Sequence, residues 1–184
     1  LPKRVCNQHK FSDYADYLHE NLPAQAELDL QREKPLTPAP LVSVAIACSG
    51  ASRAAVRSTL EALGKQTYAN FEVCVVSELA QAGLTDYEGI PKFRLVLFNG
   101  TAHEQLKAAE KMLNGAYFLQ LLPGDLPAPD ALHMLVLQTH SNPEAEVVFA
   151  DEDSVIDGIR QNPIFKPDYG RDTLRSFNSI GRPM

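Results

Sequence analysis

Asp125 closes the stretch Gly115-Ala-Tyr-Phe-Leu-Gln-Leu-Leu-Pro-Gly-Asp, standing at the tip of an apolar run just past a Pro123-Gly124 turn. Glu78 follows the apolar run Phe71 to Val76 in the same way, and Asp151-Glu152-Asp153 follows Glu146 to Phe149. Carboxylates at the ends of apolar runs suit three tasks. They accept from ligand hydroxyls, take a proton as a base, or lend oxygens to a hard cation. Each also has a plainer use. Asp favours turns because its side chain accepts from nearby backbone N–H groups, so Asp125 is either a metal or ribose contact or a turn and capping residue. Glu78 is either a nucleoside contact or an exposed loop acid. Two acids leaving a strand together are costly to bury without partners. Asp151 and Asp153 are therefore either site residues or a solvated turn paired with Arg160 or Lys166.

The elements that must hold these residues alternate. Leu41 to Ala47 is β-rich and continuous, Phe71 to Val76 is a second such run and Phe93 to Phe98 a third. Ala116 to Leu122 is too short for a helix and is bounded by turn residues, so it reads as a central strand buried on both faces. Glu146 to Phe149 reads as a fifth strand. Between them lie helical patterns at Arg53 to Lys65, capped by Ser52, at His103 to Leu113 and at Pro129 to His140. Such alternation predicts an α/β fold with a mostly parallel sheet covered on both faces. Right-handed crossovers put the loops named above on one edge, and ligands of open α/β sheets sit beyond the carboxyl ends of the strands. After Ser154 the alternation stops; Asp157-Gly158 suits a hairpin turn and Pro163 to Pro167 an extended segment.

Residues 1–40 differ. Phe11 to Glu33 is polar and helix-prone, with Pro23 permitting a break, and Thr37-Pro-Ala-Pro40 is a stiff linker. This is an N-terminal helical extension, packed on the domain or serving a partner. The 184 residues are 45% hydrophobic and 22% charged with a net charge of −6, which suits one soluble domain and gives no basic surface for nucleic acid. No apolar run is long enough to span a membrane, and no signal peptide is evident. Cys48 and Cys74 lie in apolar runs and read as buried reduced thiols; with Cys6 they form no CxxC pair. The five His lack ligand spacing and read as surface residues. A cytoplasmic setting is the expectation, with a peripheral place at the inner membrane as its variant. The chain opens on Leu, which suits a piece of a longer polypeptide.

Order and spacing give a resemblance. Leu41-Val-Ser-Val-Ala-Ile, Gln66-Thr-Tyr-Ala-Asn-Phe-Glu-Val, Asn99-Gly100, Gly115-Ala-Tyr-Phe and Pro129-Asp-Ala-Leu132 follow one another as in family 2 glycosyltransferases of the GT-A fold. Ala150-Asp-Glu-Asp153, Gly158-Ile-Arg160 and Phe165-Lys-Pro-Asp168 resemble a bacterial subgroup that builds surface polysaccharides. The resemblance covers residues 41–184, which it marks as a GT-A domain cut short at its C-terminus. It implies transfer of a sugar from a nucleotide-diphosphate donor to a glycan acceptor, with Mg²⁺ or Mn²⁺ held by an Asp-x-Asp motif. By position it implies nucleotide contacts at Ala47, Glu78, Lys107 and Asp125, a metal contact at Asp125, and catalytic candidates at Asp151, Asp153 and Lys166.

The chain departs from that pattern where the metal belongs. The family's Asp-x-Asp-Asp falls on Leu122, Pro123, Gly124 and Asp125, so the usual metal ligand corresponds to Gly124. A lone carboxylate suits a divalent ion poorly. Without a metal the departing diphosphate needs another cation, a role open to Lys107 as a point charge. Two readings follow: a glycosyltransferase domain, or a degenerate glycosyltransferase-like module that serves binding or assembly.

Overall fold

The computed structural model describes residues 14–78, 90, 92–168, 170–176 and 180. Its centre is β1 (Val42–Ala47), every residue of which is buried. On one side β1 pairs in parallel with β2 (Phe71–Ser77), and β2 with β3 (Phe93–Leu97). On the other it pairs in parallel with β4 (Tyr117–Leu121), giving a four-stranded sheet in the order β3-β2-β1-β4. The elements outside the sheet are α1 (Tyr14–Asn21), α2 (Gln25–Glu33), α3 (Arg53–Leu63), α4 (Ala102–Glu110), α5 (Ala131–Ser141), β5 (Glu152–Ile156), β6 (Ile159–Ile164) and α6 (Arg171–Ser176).

The sheet is covered on both faces, as the alternation predicts. Val42, Val44 and Ile46 of β1 face Val56, Leu60 and Leu63 of α3 and Leu132 and Val136 of α5. Ala45 faces the other way, toward Ala109 of α4, with Cys74 and Val76. That small-residue face lets α4 lie close. Each fully buried Leu on α3 contributes roughly 2–3 kcal/mol relative to an exposed one. Ser52 caps α3, its side chain accepting from Ala55 N, and Thr101 and Glu104 form a reciprocal capping box on α4. Burial pushes the free thiols of Cys48 and Cys74 up to about 11, so both are inert.

Three expectations are corrected. The run Ala116 to Leu122 is an edge strand among the described residues, with Leu119 and Leu121 buried but Tyr117 and Phe118 exposed. A continuous apolar run does not distinguish a strand with two covered faces from one with a single covered face. Glu146 to Phe149 forms no strand. The next strands are β5 and β6, an antiparallel hairpin turning at Asp157-Gly158, where φ of 52° and 78° meets the left-handed demand of such a turn. His133 is buried rather than superficial, and burial lowers its pKa. It lies on the face of α5 that carries Leu132 and Val136 into the core. Within the extension, α1 and α2 are separated at Pro23. The connection from Leu79 to Gly89 and Cys6 lie outside the described residues.

The amino end of the sheet is closed by a buried polar cluster. Glu72 Oε1 accepts from Ser43 Oγ at 2.7 Å and from Asn114 N at 2.7 Å, while Gly115 N donates to Ser43 Oγ at 2.8 Å. A Cβ on Gly115 would stand 2.5 Å from Ser43 Oγ and 2.7 Å from the Leu41 carbonyl oxygen, so only glycine fits where β4 begins.

Candidate functional site

At the opposite end, β4 leads into the turn Leu122-Pro-Gly-Asp125. Asp125 Oδ2 accepts from Leu122 N at 2.7 Å, and Asp125 N donates to the Leu122 carbonyl at 2.9 Å. Gly124, at φ 100°, donates its N–H to Thr59 Oγ1 at 2.9 Å and lies 3.0 Å from the Ala55 carbonyl. The turn is thus bolted to α3, and the Asp125 carboxylate holds it shut.

The Gln66-Thr-Tyr-Ala-Asn70 stretch is a brace for this same region. Gln66 Nε2 donates to the Ala128 carbonyl at 2.7 Å and Gln66 Oε1 accepts from Leu132 N at 3.0 Å, tying the end of α3 to the start of α5. Thr67 N donates to the Pro129 carbonyl at 2.8 Å, and Thr67 Oγ1 donates to Gln31 Oε1 of α2 at 2.6 Å. Tyr68 OH reaches the Pro40 carbonyl at 2.5 Å and Asn70 Nδ2 the Ala39 carbonyl at 2.8 Å, which fixes the proline-rich linker. Short polar side chains here position loops, a role that their types alone do not announce.

A cleft of about 960 Å³ opens between the β4–α5 loop, the β5–β6 hairpin and α1. This lies within the upper range of small-molecule sites. Asp125, Asp151, Asp153 and Lys166 all line it, so four of the predicted residues converge. Asp151 Oδ1 accepts from Lys166 N at 2.7 Å. Asp153 Oδ2 accepts from Tyr14 OH at 2.5 Å and from Arg160 Nε at 2.6 Å. Burial first, then that bond to Asp153, pushes the Tyr14 phenol above its ordinary range. The Lys166 side chain is 3% exposed, with its ammonium 3.6 Å from Glu152 Oε2. Tyr17 packs edge-on against Phe165 at 5.0 Å between centroids, and Tyr14 stacks on Tyr17 at 5.8 Å. The contribution of α1 to this wall was not foreseen; Tyr14 and Tyr17 at helical spacing were its signal.

The other predicted residues stand apart from the cleft lining. Ala47 and Glu78 sit at the carboxyl ends of β1 and β2, where Ser49 Oγ donates to Glu78 Oε1 at 3.2 Å. Lys107 is exposed on α4 and borders a separate groove with Ser43, His103, Phe118 and Gln120.

The residues present do not fit a divalent metal. Among the described residues no three His, Cys, Asp or Glu side chains are grouped to hold one. Gly124 has no side chain to offer a cation, and an Asp125 oxygen is engaged by a backbone N–H.

No family model matches the chain. Over 150 residues it is 32% identical to the uncharacterized protein y4gI of Sinorhizobium fredii (strain NBRC 101917 / NGR234), a match covering 77% of this chain and 16% of that protein. Over 178 residues it is 25% identical to the O-antigen biosynthesis protein RfbC of Myxococcus xanthus, covering 92% of this chain and 14% of that protein. Among solved structures, S. aureus TarS aligns with a TM-score of 0.46 at 16% identity, covering 55% of this chain and 19% of TarS. The chain therefore spans less than a fifth of the curated relatives it matches, at 16% and 14% of their lengths. Among the described residues no helix is long and apolar enough to cross a membrane.

Proposed function

We propose that residues 41–184 belong to a GT-A glycosyltransferase domain of a longer polypeptide, moving a sugar from a nucleotide-diphosphate donor to a glycan acceptor in bacterial polysaccharide assembly. The observation that carries this reading is the convergence of Asp125, Asp151, Asp153 and Lys166 on one cleft that also takes in the end of β4. Similarity to an O-antigen biosynthesis protein over nearly the whole chain supports the same direction. In this reading the nucleoside lies over the ends of β1 and β2, against Ala47 and Glu78. Asp151, exposed and holding only a backbone N–H among the described residues, is the better placed base for an acceptor hydroxyl. Asp153 is bound by Tyr14 and Arg160 and acts as a positioning residue.

One observation favours the alternative, a domain that keeps the fold but has lost metal-assisted transfer: the Asp125 turn is closed on itself beside Gly124. Lys107 lies outside the cleft lining, and the two cations within it are Arg160 and Lys166. Calorimetric titration with uridine, guanosine and thymidine diphosphates, with and without Mn²⁺, tests both readings. Weak binding that Mn²⁺ hardly improves is expected. Failure of all three to bind would sink the nucleotide-sugar reading, and tight Mn²⁺-dependent binding would show that a metal site exists after all.

A further inference from the structure

We propose that Asn99-Gly100 is a site of backbone-assisted deamidation that the fold leaves open, and that the identical dipeptide Asn114-Gly115 is one that the fold shuts. No step depends on the sugar-transfer reading, so either can fail without the other.

The reaction needs only the chain and water. The Gly100 nitrogen attacks Asn99 Cγ, and the new N–Cγ bond closes a cyclic imide. The side-chain nitrogen leaves as ammonia, carrying away the proton of the Gly100 N–H. Water then opens the ring. Cleavage of the N–Cγ bond gives aspartate; cleavage at the main-chain carbonyl gives isoaspartate, whose backbone runs through Cβ. A glycine after the asparagine favours the first step, because no Cβ shields the attacking nitrogen or restricts its approach. That nitrogen must also be free of a hydrogen bond, and its peptide must be able to rotate toward the side chain.

The two dipeptides have the same composition and the same exposure. Both asparagines are exposed and both glycines half-buried, so solvent access does not separate them. Bonding does. Gly115 N donates to Ser43 Oγ at 2.8 Å, and Asn114 N donates to Glu72 Oε1 at 2.7 Å. A Cβ on Gly115 would meet the Leu41 carbonyl oxygen and Ser43 N, each at 2.7 Å, so neighbouring backbone closes around this peptide and denies it rotation.

At Asn99-Gly100 only the flanks are held. Phe98 N donates to the Ser77 carbonyl at 2.9 Å and Thr101 N to Glu104 Oε2 at 2.8 Å. Between them, neither Gly100 N nor the Asn99 side chain has a hydrogen-bond partner among the described residues. The atoms nearest a Cβ on Gly100 belong to side chains, Phe98 Cε1 at 2.7 Å and Glu104 Oε2 at 3.0 Å, and side chains can swing aside where backbone cannot. The product places a carboxylate just ahead of the Thr101 cap of α4, where a negative charge suits the helix dipole. Isoaspartate also adds a backbone atom between two anchored residues, which bears directly on the Thr101–Glu104 capping box.

Peptide mapping by mass spectrometry, on the chain aged in mildly alkaline buffer, reads the amide-to-acid exchange at each asparagine. Aspartate isomerisation at Asp157-Gly158 does not change mass and does not register. In the folded chain Asn99 should convert at least roughly tenfold faster than Asn114, since Asn114 reacts only after its buried bonds open. In urea the two rates should converge. Ser43→Ala removes the acceptor of Gly115 N and should raise conversion at Asn114 while leaving Asn99 unchanged. The parent chain with and without urea decides the matter even if that variant fails to fold. Equal rates in the folded chain, no conversion at Asn99, or a difference that persists in urea overturns the proposal. Continued protection of Asn114 in folded Ser43→Ala overturns the part assigned to the Gly115 bond.

Discussion

The two ends of the four-stranded sheet handle carboxylates in opposite ways. At the amino end a single acid, Glu72, is 2% exposed and is saturated by Ser43, by Asn114 N and by the Arg94 guanidinium at 3.8 Å. At the carboxyl end six acids surround a cleft with two cations, and the most buried of those cations has no direct hydrogen bond from its ammonium among the described residues. The first arrangement spends its hydrogen-bonding capacity on holding β1, β2 and the start of β4 together. The second leaves capacity unspent. Residue type therefore does not mark function here, since the most deeply buried acid of the sheet belongs to the scaffold. What separates the two ends is the open space beside the acids of the second.

The sharpest way to break that contrast is to remove Glu72. Glu72→Ala strands the Ser43 hydroxyl and the Asn114 N–H in the interior, at about 1–3 kcal/mol for each orphaned group. Urea unfolding should show a loss of roughly 3 kcal/mol, the largest of any carboxylate in the described residues. A pH series sharpens it further. Burial alone would raise this carboxyl, but the bonds from Asn114 N and Ser43 with the charge of Arg94 outweigh burial and hold it below its ordinary value. A group with a depressed folded pKa stabilises above its unfolded pKa, about 4.3, and loses that contribution as pH falls through the folded value. Glu72→Gln should therefore flatten the fall of stability below about pH 4.3 relative to the parent. An unchanged profile would show that Glu72 is not the clamp.

Gly124→Asp probes the other end with a smaller effect. It adds a second acid beside Asp125, yet φ of 100° at this position disfavours any side chain, although open space lies around it, the nearest contact being Ala55 Cβ at 3.9 Å. The cost is backbone strain rather than collision, roughly 1–2 kcal/mol in thermal or urea unfolding. Because Asp125 remains bonded to Leu122 N, Mn²⁺ should not tighten nucleotide binding by the variant. A gain of metal affinity without loss of stability would mean that the turn is free to reopen.

Much of this architecture was legible in the sequence, and the misses have physical reasons. β1, β2 and β3, the cap at Ser52, and the two-sided cover of the sheet follow from short-range periodicity and hydrogen-bonding chemistry. The edge position of β4 was not legible, because pairing is decided by chain topology and not by apolarity within one strand. Lys107 and Lys166 look alike as letters; only the folded chain separates a solvated helix-face lysine from one buried beside Glu152. Asp125 was readable as turn or ligand, and its bond to Leu122 N fills the turn role. Glu72 carried no local signal, since its partners lie 29 and 42 residues away.

The smallest of these effects concerns how α1 becomes part of the cleft. Tyr14 OH donates to Asp153 at 2.5 Å, while Arg160 holds the same oxygen at 2.6 Å. Tyr14→Phe keeps the ring against Tyr17 and Phe165 and removes only that bond, so the global loss should be about 0.5–1.5 kcal/mol. Locally the consequence is larger, because α1 has no completely buried residue to hold it in place. Hydrogen exchange across residues 14–21 should accelerate in the variant while α3 and α5 keep their protection. The raised phenol pKa sets the pH sense: the contact is intact below the unfolded value, about 10, and is lost as pH climbs through the folded one. Unchanged exchange at α1 would show that ring packing alone seats the helix. The closed amino end and the adaptable carboxyl end would then differ in their polar chemistry but not in how firmly their walls are held.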